Sequence, residues 1–155
     1  IMARKISGVI VGYITMFLFV FISFTILFLI LGSDGAFQIG GYQVTTTWII
    51  LSFMLGLIAA ILGGLVCVLI AKDRKTALWL AGFVLVLGFV LAIPALSVTD
   101  EALNKVRDGN VDNMEAMQNA KQPPITLILN PIIGAIGVIA GSRLKKTEQK
   151  SKQNS

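Results

Sequence analysis

Four long apolar stretches alternate with shorter polar ones along this chain. They run from 6 to 31, 47 to 71, 76 to 96 and 124 to 142, and none contains Lys, Arg, Asp or Glu. A helix needs about 20 predominantly apolar residues to cross the hydrocarbon core of a bilayer. The pattern therefore predicts an all-α integral membrane protein with four transmembrane helices.

The longest polar connection, 97–123, is expected to contain two short helices. Thr99 is a candidate N-cap for the first, and Asp112 with Glu115 has the spacing of a capping box for the second. Pro123 and Pro124 should end that second helix. We therefore expect a partly helical outer loop, which rests on its own bundle, on the membrane surface or on another protein.

Composition supports the membrane assignment and limits the number of domains. Hydrophobic residues make up 55% of the chain and charged residues only 14%, whereas soluble domains carry about 25% charged residues. The first apolar stretch is longer than the roughly 7 to 15 residues of a signal-peptide core, so we expect it to remain as a span. A single transmembrane domain is predicted over 1–155, ending in a basic tail at 143–155.

The basic residues divide unequally between alternate connections. On one side lie Arg4, Lys5, Lys72, Arg74, Lys75, Arg143, Lys145, Lys146, Lys150 and Lys152. The other side carries only Lys105, Arg107 and Lys121. Because cytoplasmic loops are enriched in Lys and Arg, the predicted topology is an antiparallel bundle with both termini in the cytoplasm. The tail should also attract anionic lipid, at about 1 kcal/mol for each basic residue near the surface.

Small residues at four-residue spacing mark candidate helix-packing faces. In lipid, helices associate where small residues let their backbones approach closely. The motifs comprise Gly8 and Gly12 in the first span, Gly56, Ala60 and Gly64 in the second, and Gly137 and Gly141 in the fourth. Packing within the bundle is one interpretation. Docking of a helix from another membrane protein is the other.

Asn130 and Pro131 interrupt the fourth apolar stretch. Pro131 removes one helical hydrogen bond and should kink the helix. Asn130 needs a partner in hydrocarbon, and the carbonyl groups freed by Pro131 are the nearest acceptors. Alternatively, Asn130 forms a polar site for a solute or a partner helix, together with Thr126 one turn earlier.

The first span gathers four phenylalanines on one helical stripe: Phe17, Phe21, Phe24 and Phe28. Such a stripe faces lipid or a neighbouring helix. Aromatic rings alone specify no cofactor, and none is predicted.

Side chains suited to catalysis or metal binding are scarce. The chain has no His, which is the commonest general base and metal ligand, and Cys67 is its only cysteine. The sequence Asp108-x-Asn110-x-Asp112 resembles the start of a calcium loop, but Asn113 and Asn119 occupy the positions that require Gly and Glu. We predict no enzyme, no metal site and no nucleic-acid binding.

Several short segments resemble small four-span inner-membrane proteins of bacteria that have no assigned activity. The segments are Asp34-Gly35-Ala36-Phe37, Gly41-Tyr42, Met114-Glu115-Ala116-Met117, Pro123-Pro124 and Asn130-Pro131-Ile132-Ile133-Gly134. The resemblance implies a fold and a location in the bacterial inner membrane, and transfers no functional residues.

Two functional hypotheses follow from these patterns. The first is a non-enzymatic accessory or scaffolding subunit of an inner-membrane complex, whose small-residue faces dock helices of other subunits. The second is a small homo-oligomeric transporter or channel for a small or apolar solute. The absence of ionisable residues inside the spans argues against an ion or proton pathway.

Overall fold

The computed structural model describes the backbone of residues 1–97 and 99–153. Its helices are α1 (Met2–Ala36), α2 (Thr46–Ala71), α3 (Lys75–Leu96), α4 (Asp100–Leu103), α5 (Asn113–Asn119) and α6 (Pro124–Gln153). Within this part of the chain, α1, α2, α3 and α6 are each long and apolar enough to cross a membrane. The prediction of a helical chain with four helices suited to a multi-pass membrane protein is confirmed for the described residues.

The long helices contain the four predicted spans and extend beyond them. Helix α1 continues past residue 31 through a break at Gly32, whose φ of 66° lies in the left-handed region that favours glycine. Helix α6 continues into the basic tail, as far as Gln153. The side chains of Lys146, Lys150 and Lys152, and residues 154 and 155, lie outside the described part.

Helix α2 is the centre of the bundle. It packs along α1 on one side and along α6 on the other, whereas α3 packs mainly against α6 and touches α1 and α2 over smaller areas. Only a short connection joins α2 to α3. They do touch, but the small residues of α2 contact α1 and α6 instead.

Glycines bring the backbones of α1, α2 and α6 together. A Cβ atom at Gly12 would lie 2.8 Å from the carbonyl oxygen of Gly63. At Gly64 it would overlap the carbonyl oxygen of Val138, and at Gly141 the carbonyl oxygen of Ile61. These contacts leave no room for a side chain at the helix crossings.

The other predicted packing residues are divided between the bundle and its surface. A Cβ atom built at Gly8 would lie 2.9 Å from the Cys67 carbonyl oxygen, and one built at Gly137 would lie 2.5 Å from the Ala60 methyl group. Gly56 differs, because no atom of the other described helices lies within 4 Å of a Cβ atom built there. Of the three small residues of the second-span motif, Ala60 and Gly64 therefore pack against other helices of the bundle, and Gly56 does not.

Two buried clusters occupy opposite ends of the molecule. We call the end with the α1 N-terminus and the 72–75 connection the turn end, and the other end the cap end. The turn-end cluster contains Ala60, Cys67, Val68, Ala77, Leu80, Ala81, Ala135 and Val138. The cap-end cluster contains Phe28, Ala36, Phe37, Tyr42, Val44 and Ala116. The closest backbone contacts of α2 with α1 and α6 at glycine lie between Ile61 and Cys67, towards the turn end.

An ion pair joins α1 to the α2–α3 connection at the turn end. The Lys5 Nζ atom lies 2.8 Å from the Asp73 carboxylate, which also accepts a hydrogen bond from the Lys75 backbone N–H at 3.0 Å. The Lys5 contact first, and then the Lys75 N–H, hold the pKa of Asp73 below its usual value.

Alanine substitutions at Gly64 and Gly56 should change stability in opposite directions. Gly64→Ala places a methyl group on the Val138 backbone, and such overpacking typically costs about 1–3 kcal/mol. Gly56→Ala meets open space and should stabilise its helix by about 0.5–1 kcal/mol. Unfolding of the two variants by denaturing detergent, followed by circular dichroism, measures both effects. Shifts of equal sign would contradict the described helix crossing.

Candidate ligand-binding cleft and its cap

The two connections at the cap end join into one unit, which we call the cap (residues 33–45 and 104–122). Phe37 and Val44 form an antiparallel bridge, and Gln43 and Lys121 form a parallel one. The Val44 N–H donates to the Lys121 carbonyl oxygen at 3.0 Å, and the Lys121 N–H donates to that of Tyr42 at 2.9 Å. Two segments about 75 residues apart in sequence are thus held backbone to backbone.

Arg107 fixes the second connection against the first. Its side chain is buried, and its Nη2 atom lies 2.7 Å from Asp34 Oδ1. Its Nη1 donates to the Gly109 carbonyl oxygen, and its backbone N–H donates to the Gly40 carbonyl oxygen at 3.2 Å. Gly40 has a φ of 77°, which lets the chain turn back at this contact.

Helix α5 is anchored at its first turn. Asp112 accepts a hydrogen bond from the Glu115 N–H at 2.8 Å, as the predicted capping box requires. The Glu115 carboxylate in turn accepts a hydrogen bond of 2.6 Å from the Tyr42 hydroxyl group. That hydrogen bond, followed by burial, raises the pKa of Tyr42.

Polar contacts also tie the second connection to α1. The Asn113 Nδ2 atom donates to Thr25 Oγ1 at 3.3 Å, and the Val111 N–H donates to Ser33 Oγ at 3.0 Å. Helix α5 is thereby held over the cap-end half of the bundle. It forms a roof over the cap-end parts of α1 and α2.

An aromatic cleft of about 270 Å³ lies beneath this roof. Phe24 and Phe28 stack edge-on against Trp48 of α2, with ring centroids 5.9 and 6.4 Å apart. Phe17 and Phe21 remain mostly exposed. The predicted phenylalanine stripe therefore packs on a neighbouring helix at its cap end and faces outwards further along. The lining consists of Phe17, Val20, Phe21, Phe24, Thr25, Phe28, Phe37, Trp48, Asn113, Ala116, Met117, Ala120 and Gln122.

A second space, the Asn130 cleft, lies among α1, α3 and α6 and has a volume of about 310 Å³. The Asn130 Nδ2 atom lies 3.4 Å from the Gln122 Oε1 atom, so its partner is a side chain in the cap and not a carbonyl group freed by Pro131. Pro131 packs against Gly88. The lining consists of Tyr13, Met16, Val84, Leu87, Gly88, Leu91, Ala92, Leu127, Asn130 and Pro131, and the buried Thr126 does not belong to it.

A third space, the mouth cleft, lies between the cap and the cap-end termini of α3 and α6. It has a volume of about 450 Å³ and shares Leu127 with the Asn130 cleft. Its lining consists of Pro94, Ala95, Leu96, Gln118, Ala120, Lys121, Gln122, Pro124 and Leu127. Lys121 is the only charged residue among those that line the three clefts.

The chemistry of the three clefts is that of a binding site for an apolar group. Their walls are mainly aliphatic and aromatic, with amide and hydroxyl groups near the cap and one ammonium group at the mouth. Within the described residues, no group of three or more His, Cys, Asp and Glu side chains is placed to hold a metal ion.

Sequence reasoning identified Asn130, Pro131 and the phenylalanine stripe but missed Arg107, Tyr42 and Lys121. The polar outer loop is a signal for Arg107 and Lys121, whereas Tyr42 lies in the first connection, between α1 and α2. Their partners lie on segments remote in sequence.

Comparison with known proteins adds no relative: no family model matches the chain, and neither a curated protein nor a solved structure matches it.

Replacing Tyr42 by Phe should loosen the cap while leaving the bundle intact. The variant loses the only side-chain hydrogen bond from the first connection to α5 in the described part, although its ring still fills the cluster. We expect faster amide hydrogen exchange over 112–121 and unchanged exchange over 59–71. Met114→Leu serves as control, because it changes an exposed side chain of α5 and leaves the hydrogen bond to Tyr42 in place. Unchanged amide hydrogen exchange over 112–121 would show that Tyr42 does not anchor α5.

Proposed function

We propose that this protein is a non-enzymatic accessory or scaffolding subunit of a bacterial inner-membrane complex. The observation that carries the proposal is a pair of helical glycines that the bundle itself does not use. A Cβ atom built at Gly56 in α2 or at Gly82 in α3 meets no atom of the described residues within 4 Å. Glycine inside a helix costs about 0.5–1 kcal/mol relative to alanine, so close approach of another helix is the natural reason for retaining it at such a position.

The closed turn-end half of the bundle supports a structural role over transport. Leu80, Val138, Thr76 and Cys67 are fully buried there, where the glycine crossings seal the helices together. A solute that entered from the cap end would meet this packed core. A continuous path through one copy of the chain would require the glycine contacts to separate.

The proposed orientation places the turn end in the cytoplasm. Arg4, Lys5, Lys72, Arg74 and Lys75 lie at that end of the described bundle, where positive charge favours the cytoplasmic side. The cap then faces the periplasm and presents a rigid surface to a partner subunit. The bacterial inner membrane itself is proposed from the segment resemblance described above.

The substitution Gly56→Leu should release the protein from its partners without unfolding it. The added side chain meets open space within the chain but would occupy the approach of another helix. The measurement is affinity purification of the tagged protein from its native membrane in mild detergent, followed by native mass determination. We expect a stoichiometric complex with wild type and free subunit with the variant.

A matched substitution gives the control for that experiment. Met54→Leu changes an exposed side chain of the same helix without adding bulk and should preserve the complex. Purification of the wild-type protein alone, as a monomer or a homo-oligomer, would contradict the accessory-subunit proposal.

The second candidate function is a small homo-oligomeric transporter or channel, and the Asn130 cleft is the observation that favours it. An amide group lies in a cleft among three membrane-spanning candidates, within reach of the cap through Gln122. In a homo-oligomer, several such clefts could line a common path for a small or apolar solute.

The substitution Asn130→Leu separates the two candidate functions. A scaffold should remain assembled, whereas a transport path lined by the amide should lose most of its flux. Uptake into liposomes containing wild-type or variant protein, measured over a panel of small neutral solutes, provides the test. Equal flux from both proteins and from empty liposomes would exclude the transport role for these solutes.

A further inference from the structure

We propose that the mouth cleft and the Asn130 cleft together bind one phospholipid, with an acyl chain along α3 and α6 and the phosphate group at Lys121. This inference does not depend on the accessory-subunit proposal. It rests on the length of the two clefts, on the distribution of polar groups along them and on the closed core below.

The two clefts together match one leaflet in length. They run along α3 from Val84 to Leu96, which corresponds to about 18 Å at 1.5 Å per residue. One leaflet contributes about half of the 30 Å hydrocarbon core. An acyl chain that enters at the mouth would therefore reach Val84 and stop at the turn-end cluster, where Leu80 is fully buried.

A partner helix does not fit the same space. A membrane-crossing helix needs a groove along the full hydrocarbon thickness of about 30 Å. The Asn130 cleft extends along α3 only from Val84 to Ala92, or about 12 Å, before the packed core closes it. The mouth cleft lies at the opposite end. A flexible acyl chain can follow a groove of this short length, whereas a membrane-crossing helix needs one more than twice as long.

Polarity increases towards the mouth, as an amphiphile requires. Tyr13, Leu87 and Leu91 are among the residues that line the inner cleft, and Asn130 is its only amide. The mouth adds Gln118, Lys121 and Gln122. An ammonium group beside two amides suits a phosphate group, and no carboxylate side chain lines the described mouth to oppose it.

Leu127 borders both spaces, because it lines each of them. It lies one turn before Pro131 on α6, at the depth where the first methylene groups of a bound lipid would pass. A larger side chain at this position would separate the mouth from the inner cleft. Leu129, two residues further along, lines neither space and is partly exposed.

The test is native mass spectrometry of protein purified in mild detergent and then exposed to phosphatidylglycerol. We expect one lipid to be retained per chain by the wild-type protein and by Leu129→Trp. The variant Leu127→Trp should lose most of this bound lipid. Should Leu127→Trp fail to give a monodisperse protein, Ala92→Leu fills the inner cleft with a smaller group and provides the same comparison.

The head group is tested separately. Lys121→Gln should lower the affinity for phosphatidylglycerol about fivefold, the factor expected from one basic residue near a lipid phosphate. Lys105→Gln, whose ammonium group bonds to Asn119 on the cap surface, should leave the affinity unchanged. Absence of retained lipid on the wild-type protein would overturn the proposal, as would equal retention by the Leu127 and Leu129 variants.

Discussion

Backbone contact at glycine is the constraint on which the rest of this molecule depends. Lipid offers helices no hydrophobic reason to associate, so close van der Waals approach has to hold them together. Here α2 meets α6 where Gly64 and Gly141 face backbone atoms, and meets α1 at Gly12. The three clefts lie outside these contacts, among bulkier side chains nearer the cap end.

The cap is the second fixed point of the structure. Hydrogen bonds between remote segments, a buried guanidinium group paired with Asp34, and a phenol bound to Glu115 hold it together. Buried polar groups need such partners, because leaving one unsatisfied costs about 1–3 kcal/mol. The cap thus holds the two connections together, opposite the packed turn-end cluster.

The amino-acid pattern predicts the helices well and their partners poorly. Runs without charge predict four long helices, and Asp112 with Glu115 predicts the start of α5, because both signals are local. The Arg107–Asp34 pair joins positions 73 residues apart, which no local pattern reveals. Gly56, Ala60 and Gly64 share one helical face, yet only Ala60 and Gly64 contact α6. Crossing points of helices are set by the whole bundle.

Because α1 packs on α2 over Cys67, the reactivity of this single thiol reports how often the two helices separate. Cys67 is fully buried, and the Cβ direction of Gly12 points at its side chain from 3.0 Å away. A maleimide reagent can reach this sulfur only when the two helices part. The rate of labelling therefore measures how often the turn-end half of the bundle opens. A ligand, lipid or partner subunit that slows the labelling stabilises the closed packing of the two helices.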